Sequence, residues 1–149
     1  MNFMDTSYDP RYLAGIVLFN RGDYFEAHEV WEDLWMETAG PEKRYFQALI
    51  QAAVCLCHFC NGNLRGAAKL YRSSFDYMAR FGPNYLGLDV TAFWQQMERC
   101  CDEVLKGDLS RRVQPVDELL PSITLEPAPQ DWPDPALFLA EDDQPGGHS

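Results

Sequence analysis

One stretch of this chain holds most of its chemistry: Phe25-Glu26-Ala27-His28-Glu29-Val30-Trp31-Glu32-Asp33-Leu34-Trp35. At about 100° per residue, a helix here sets His28 and Glu32 about 40° apart on one face. Glu29 lies further round. Trp31 and Trp35 border His28 on the apolar side, so His28 belongs at the edge of a buried stripe. Further along, Gln47, Gln51 and His58 project within about 40° of one another on an otherwise apolar helical stretch. Buried polar groups need hydrogen bonds, and each one left unpaired costs about 1–3 kcal/mol. The economical expectation is that this second stripe faces the His28–Glu32 edge and makes a polar cluster inside the fold.

Three chemistries suit such a cluster. The first is a structural network, in which a carboxylate orients a histidine and the glutamines close the remaining bonds. The second is a pocket for a small ligand, lined by His28, Glu29, Glu32, Trp35, Gln47, Gln51 and His58. The third is a metal site. His28, Glu32 and His58 are its candidate ligands, and a divalent transition metal (zinc, iron or manganese) is the occupant that this donor set admits. A metal-dependent enzyme would then use Glu29 or Glu32 as general base. His28-Glu29-Val30-Trp31-Glu32 departs from the HExxH zinc motif at a decisive place, because Glu32 stands where the second histidine belongs. The Glu-x-x-His pairs of di-iron bundles are also missing. No single reaction follows from these residues.

The cysteines carry less. Cys57-His58-Phe59-Cys60 contains a C-x-x-C, and Cys100-Cys101 follows later. Structural zinc sites usually pair two such units on turns, and cysteine is often a small buried hydrophobe. A redox motif would need a neighbouring strand.

The elements that must position these groups are helices. Pro10 suits a first turn. Tyr12, Leu13, Ile16, Val17 and Phe19 recur at helical spacing until Asn20-Arg21-Gly22 closes the helix, with Gly22 as a left-handed cap. Asp23 is placed to cap a second helix, Tyr24–Thr38, through its carboxylate. Gly40-Pro41 breaks that helix. A third, from Glu42 to Asn61, is apolar nearly all round and belongs in the middle of a bundle. Gly62 ends it, and Asn63 caps a fourth helix, Leu64–Phe81. A fifth starts at Asp89 or Thr91 and stops at Gly107. The first 106 residues show no sustained two-residue alternation, so no strands are expected there. Asn20–Ala27 is echoed 40 residues later by Cys60–Ala67, the grammar of stacked tetratricopeptide-like hairpins. A protein-interaction scaffold of that type is a further reading.

Residues 1–107 therefore form the expected all-α domain, a compact antiparallel bundle of about five helices. Residues 108–149 read as an acidic, proline-rich tail, largely irregular or disordered. Seven of the ten prolines lie at or after Pro115, and residues 107–149 carry a balance of -7 out of the chain's -11. Two apolar clusters, Val116–Ile123 and Trp132–Leu139, are the segments able to dock on the bundle or a partner.

That net charge and the lack of a basic patch disfavour nucleic acid as a partner, since Arg65, Lys69 and Arg72 read as a solvated face. The N-terminus lacks a basic stretch followed by an apolar run, and the longest apolar stretch, Ala48–Cys60, is too short to span a bilayer. A cytoplasmic protein with reduced thiols and no membrane role is expected. A protein partner or homo-oligomer stays open, as does an unidentified small molecule.

The stretch from Phe19 to Glu32, followed by Leu49-Ile50-Gln51-Ala52-Ala53, His58 and Gly62-Asn63-Leu64-Arg65-Gly66-Ala67, resembles the family catalogued as domain of unknown function 309. The likeness runs from about Tyr12 to Asp89. It implies a small helical bundle and brings no established activity or cofactor. The family's polar motif positions fall on Glu26, His28, Glu29, Glu32, Gln51 and His58. Ala48 stands where the family often has glycine.

Overall fold

The first helix begins at a proline and stops two residues short of a glycine, as its sequence leads one to expect. Asp9 accepts a hydrogen bond from the Arg11 amide, Pro10 opens the turn, and α1 runs Pro10–Asn20. In the computed structural model, which describes residues 8–107 and 113–139, five more helices follow: α2 (Tyr24–Met36), α3 (Pro41–Cys60), α4 (Leu64–Met78), α5 (Val90–Cys100) and α6 (Asp102–Lys106). α1 packs on α2, α2 on α3 and α3 on α4, as an antiparallel series. The bundle expected from the sequence is present.

The 40-residue echo is repeated in the backbone hydrogen bonds of the two turns. In the first turn the amide of Gly22 donates to Phe19 and that of Asp23 to Leu18; in the second, Gly62 donates to Phe59 and Asn63 to His58. Gly22 and Gly62 both take left-handed backbone, at φ 85° and 83°, where a side chain would be strained. Ala27 and Ala67 are fully buried where the second helix of each pair begins.

Several expectations need correction. Asp23 makes no side-chain cap, whereas Asn63 and Asp89 do, to the amides of Gly66 and Ala92. The expected fifth helix is two, interrupted at Cys101. The end of the expected fourth is a single 3-10 turn, Ala79–Phe81. A two-stranded antiparallel ribbon lies within the first 106 residues: β1 (Asn84–Tyr85) pairs with β2 (Leu88–Asp89) around Leu86-Gly87, both at positive φ. Strands of two residues are too short to show alternation.

The interior is built on close approach. A side chain at Gly15 would occupy the space of the Trp31 indole, so that glycine lets α1 and α2 meet across the ring. The Trp31 N–H donates to the Tyr12 carbonyl at 3.2 Å. The Tyr45 hydroxyl pairs with the Tyr12 hydroxyl at 2.8 Å, and Tyr12 donates onward to the Leu86 carbonyl. The buried Ser74 hydroxyl donates to the Ala48 carbonyl.

Residues 113–139 are mostly irregular, with 3-10 turns at Asp117–Leu119 and Pro135–Phe138. They run against the bundle as a strap, and Ile123, Leu125 and Leu139 are buried in the same hydrophobic cluster as the helices. The Asn20 side chain brackets Ile123, accepting from its amide at 2.7 Å and donating to its carbonyl at 2.9 Å. Gln96 of α5 does the same to Ser122. Expectations about the rest of the tail, Arg111, Arg112 and the terminal Gly-Gly-His-Ser included, lie outside the described residues. No helix among those residues is long and apolar enough to cross a membrane.

Candidate functional site

The helical spacing of α2 places its chemistry where expected along that helix. His28 sits at the edge of the buried stripe of Ala27, Val30, Trp31 and Leu34. Its Nε2 lies 3.7 Å from the Glu32 carboxylate, with the imidazole 21% exposed and Glu32 51% exposed. Its Nδ1 is buried without a hydrogen-bond partner, and so is the indole N–H of Trp35. Phe25, half exposed, packs its ring on the His28 ring. Lys43 of α3 stands over the Trp35 ring at 4.3 Å. Glu29 and Gln47 are half-buried.

The polar stripe of α3 goes elsewhere. Gln51 accepts from the Ser73 hydroxyl of α4 at 2.8 Å, and His58 Nδ1 pairs with the Asn63 side chain at 3.1 Å in the α3–α4 turn. α3 is central, with α2 on one flank and α4 on the other, and its hydrogen-bonding polar groups serve the α4 flank. The expected convergence of His28, Glu32, Gln51 and His58 is thus divided between two seams. Among the described residues no three His, Cys, Asp or Glu side chains are grouped to hold a metal ion, so His28, Glu32 and His58 do not form the coordination set considered above.

The five cysteines are free thiols. Cys100 is raised by its hydrogen bond with Cys101 and by burial. Cys101 is lowered by that same bond, but its bond to Cys55 and its burial raise it further. Burial, then Glu26, raises Cys57, and burial, then Cys100, raises Cys60. Raised thiols stay protonated at neutral pH and are poor nucleophiles and poor metal ligands.

A second site was not expected from the sequence. α4 and α5 enclose an open groove of about 540 Å³, whose lining includes Tyr71, Phe75, Val90, Trp94, Glu98 and Leu105. Tyr71 and Phe75, one turn apart on α4, lie parallel with centroids 6.5 Å apart. Trp94 of α5 stands nearly perpendicular to both, at 5.1 and 5.4 Å. Burial, then Glu98, pushes the Tyr71 phenol up to about 12, so it is neutral at physiological pH. Trp94 is 6% exposed, and its indole N–H is buried with no partner. Phe75 is 45% exposed. The one hint in the sequence was an aromatic pair four residues apart on a strongly amphipathic helix. Which helix would meet it was not legible.

Comparison with known proteins matches one segment of this chain, in its N-terminal half, to a family model without an assigned activity. Residues 12–70 match the model of the family described as Domain of unknown function (DUF309), which bears out the resemblance drawn from the motifs. An uncharacterized protein of Aquifex aeolicus (strain VF5) is 32% identical over 73 residues, 48% of this chain and 22% of that protein. The uncharacterized protein YpuF of Bacillus subtilis (strain 168) is 39% identical over 69 residues, 45% of this chain and 40% of that protein. The chain thus spans well under half the length of either relative. The matched segment holds α1 to α3 and the first half of α4. Tyr71, α5 and the strap lie beyond it.

Proposed function

We propose, starting from a family segment that supplies the scaffold and no reaction, that this protein is a binding module rather than a catalyst. It holds a small organic ligand in the groove between α4 and α5. The observation that carries this reading is the groove itself: an open space of about 540 Å³ whose walls include the rings of Tyr71, Phe75 and Trp94. Pockets of about 300–1,000 Å³, mostly apolar with a few polar groups, are typical ligand sites.

A second reading rests on its own observation. His28 Nδ1 and Trp35 Nε1, seven residues apart on α2, are both buried and unpaired. A ligand at the α2–α3 seam would engage His28, Glu29, Glu32, Trp35 and Gln47, with Gln51 and His58 belonging to the next seam. We keep the division at Gly107, with residues 1–107 as the bundle and 108–149 as an acidic arm. A cytoplasmic setting without nucleic-acid or membrane partners fits the net charge of -11.

Indole N–H resonances of ¹⁵N-labelled protein separate the two readings. The chain has four tryptophans, and Trp94→Phe and Trp35→Phe assign the relevant peaks. Titration with a panel of small organic fragments is expected to move the Trp94 peak and leave Trp31 in place. Movement of Trp35 instead selects the α2–α3 seam. A panel that moves neither overturns both.

A further inference from the structure

The groove's walls specify more than apolar contact. Elsewhere on the surface this protein sets its own cations over ring faces: Lys43 over Trp35 at 4.3 Å, and Arg44 over Tyr77 at 6.0 Å. The three groove rings carry no such cation among the described residues. Tyr71 and Phe75 tile one wall with planes 4° apart, and Trp94 meets them at 80° and 76°. The result is a corner built from aromatic surfaces. Glu98, one turn after Trp94 on α5, is the only charged side chain among the described residues that line it, and it makes no ion pair with a described residue.

Ring faces are electron-rich, and an ammonium centre over them is attracted by the ring quadrupole, more strongly once it is desolvated. A carboxylate at the rim adds a full opposite charge, and the chain's net charge of -11 raises the local concentration of cations. An anionic ligand would meet Glu98 with no lining cation among the described residues to offset it. A neutral apolar ligand would leave that carboxylate unused.

We propose that the α4–α5 groove recognises an alkylammonium ligand, its cationic head in the corner of Tyr71, Phe75 and Trp94 and its charge facing Glu98. This rests on the groove being the binding site and names the chemical class that it takes.

The test compares choline with 3,3-dimethylbutan-1-ol, its neutral isostere, by titration of the Trp94 indole N–H resonance in the full chain. Choline is expected to bind about tenfold more tightly than the isostere. Glu98→Gln is expected to erase most of that preference while the isostere binds as before. Phe75→Ala, at a position already half exposed, is expected to weaken choline with the helical circular dichroism unchanged. Equal or tighter binding of the isostere, or a Glu98→Gln protein that still prefers choline, overturns the cation assignment and leaves the groove as a site for apolar ligands. If neither compound moves Trp94 while other fragments do, the cation assignment falls alone. If nothing moves Trp94, the groove falls with it.

Discussion

Trp31 and Trp94 are two buried indoles in one small bundle, and they are treated in opposite ways. Trp31 is 0% exposed, lies across Gly15 and donates to the Tyr12 carbonyl. Trp94 is almost as buried, yet its N–H meets no acceptor and its ring borders open space. The first region has pairs for its polar atoms and no room for another carbon. The second has room and an unpaired donor. Tight packing with satisfied polar groups marks the part of the molecule that sets the fold, and open space against ring surfaces is what the proposed ligand site offers.

The largest effect that could break this contrast comes from Gly15→Ala. The added methyl group must displace the Trp31 indole or part α1 from α2, and overpacking of this kind costs about 3 kcal/mol. Urea unfolding followed by circular dichroism should show a large drop in midpoint with an unchanged slope. A loss under about 0.5 kcal/mol, the level of an ordinary surface substitution, would mean the interior is looser than described.

A middle-sized effect concerns the phenols beside Trp31. Burial raises Tyr12 and Tyr45 above the ordinary value of 10.0, with the Tyr12–Tyr45 hydrogen bond lowering Tyr12 in part. The folded state therefore keeps protons that the unfolded chain releases near that value. Their contribution is fully present below pH 10 and is lost as pH rises further. Unfolding midpoints measured from pH 8 to pH 11.5 should hold level and then fall, and Tyr45→Phe should make that fall shallower. An equally steep fall in the variant would assign the alkaline limit to other groups.

The smallest effect sharpens the comparison most. Trp31→Phe removes a paired donor and leaves a hole, and should cost about 2 kcal/mol. Trp94→Phe also loses volume, but it removes an unpaired donor at the wall of a groove, so its cost should stay within about 1 kcal/mol. Equal losses in the two variants, read from matched urea titrations, would erase the distinction.

Much of the fold was legible because its punctuation is local. Pro10, Gly22, Asn63 and Asp89 do their work within a few residues of themselves, and the echo between the two turns reflects shared local hydrogen bonds. The candidate site was legible only one helix at a time. Spacing placed Glu32 beside His28 because both lie on α2. It could not say that Gln51 would turn to Ser73 and His58 to Asn63, since a helical wheel shows which residues share a face and not which neighbour that face meets. The aromatic groove was hidden for the same reason: Tyr71 and Phe75 lie on one helix and Trp94 on another. The ribbon at Asn84–Asp89 was missed because Leu86, a residue that seldom adopts positive φ, occupies its turn.

The grip of Asn20 on Ile123 also orders events during synthesis. Its two hydrogen bonds join residues 103 apart in the chain. Helices α1 to α4 pair with sequence neighbours and can assemble while the strap is still within the ribosome. Contacts of long sequence separation form late, because the loop they close must first be restrained. Until residues 120–125 emerge, the apolar surface that Ile123 and Leu125 later cover is open to water and to chaperones. A nascent chain stalled before that point would display a bundle with its flank uncovered, and the emergence of residues 120–125 would be the step that seals it.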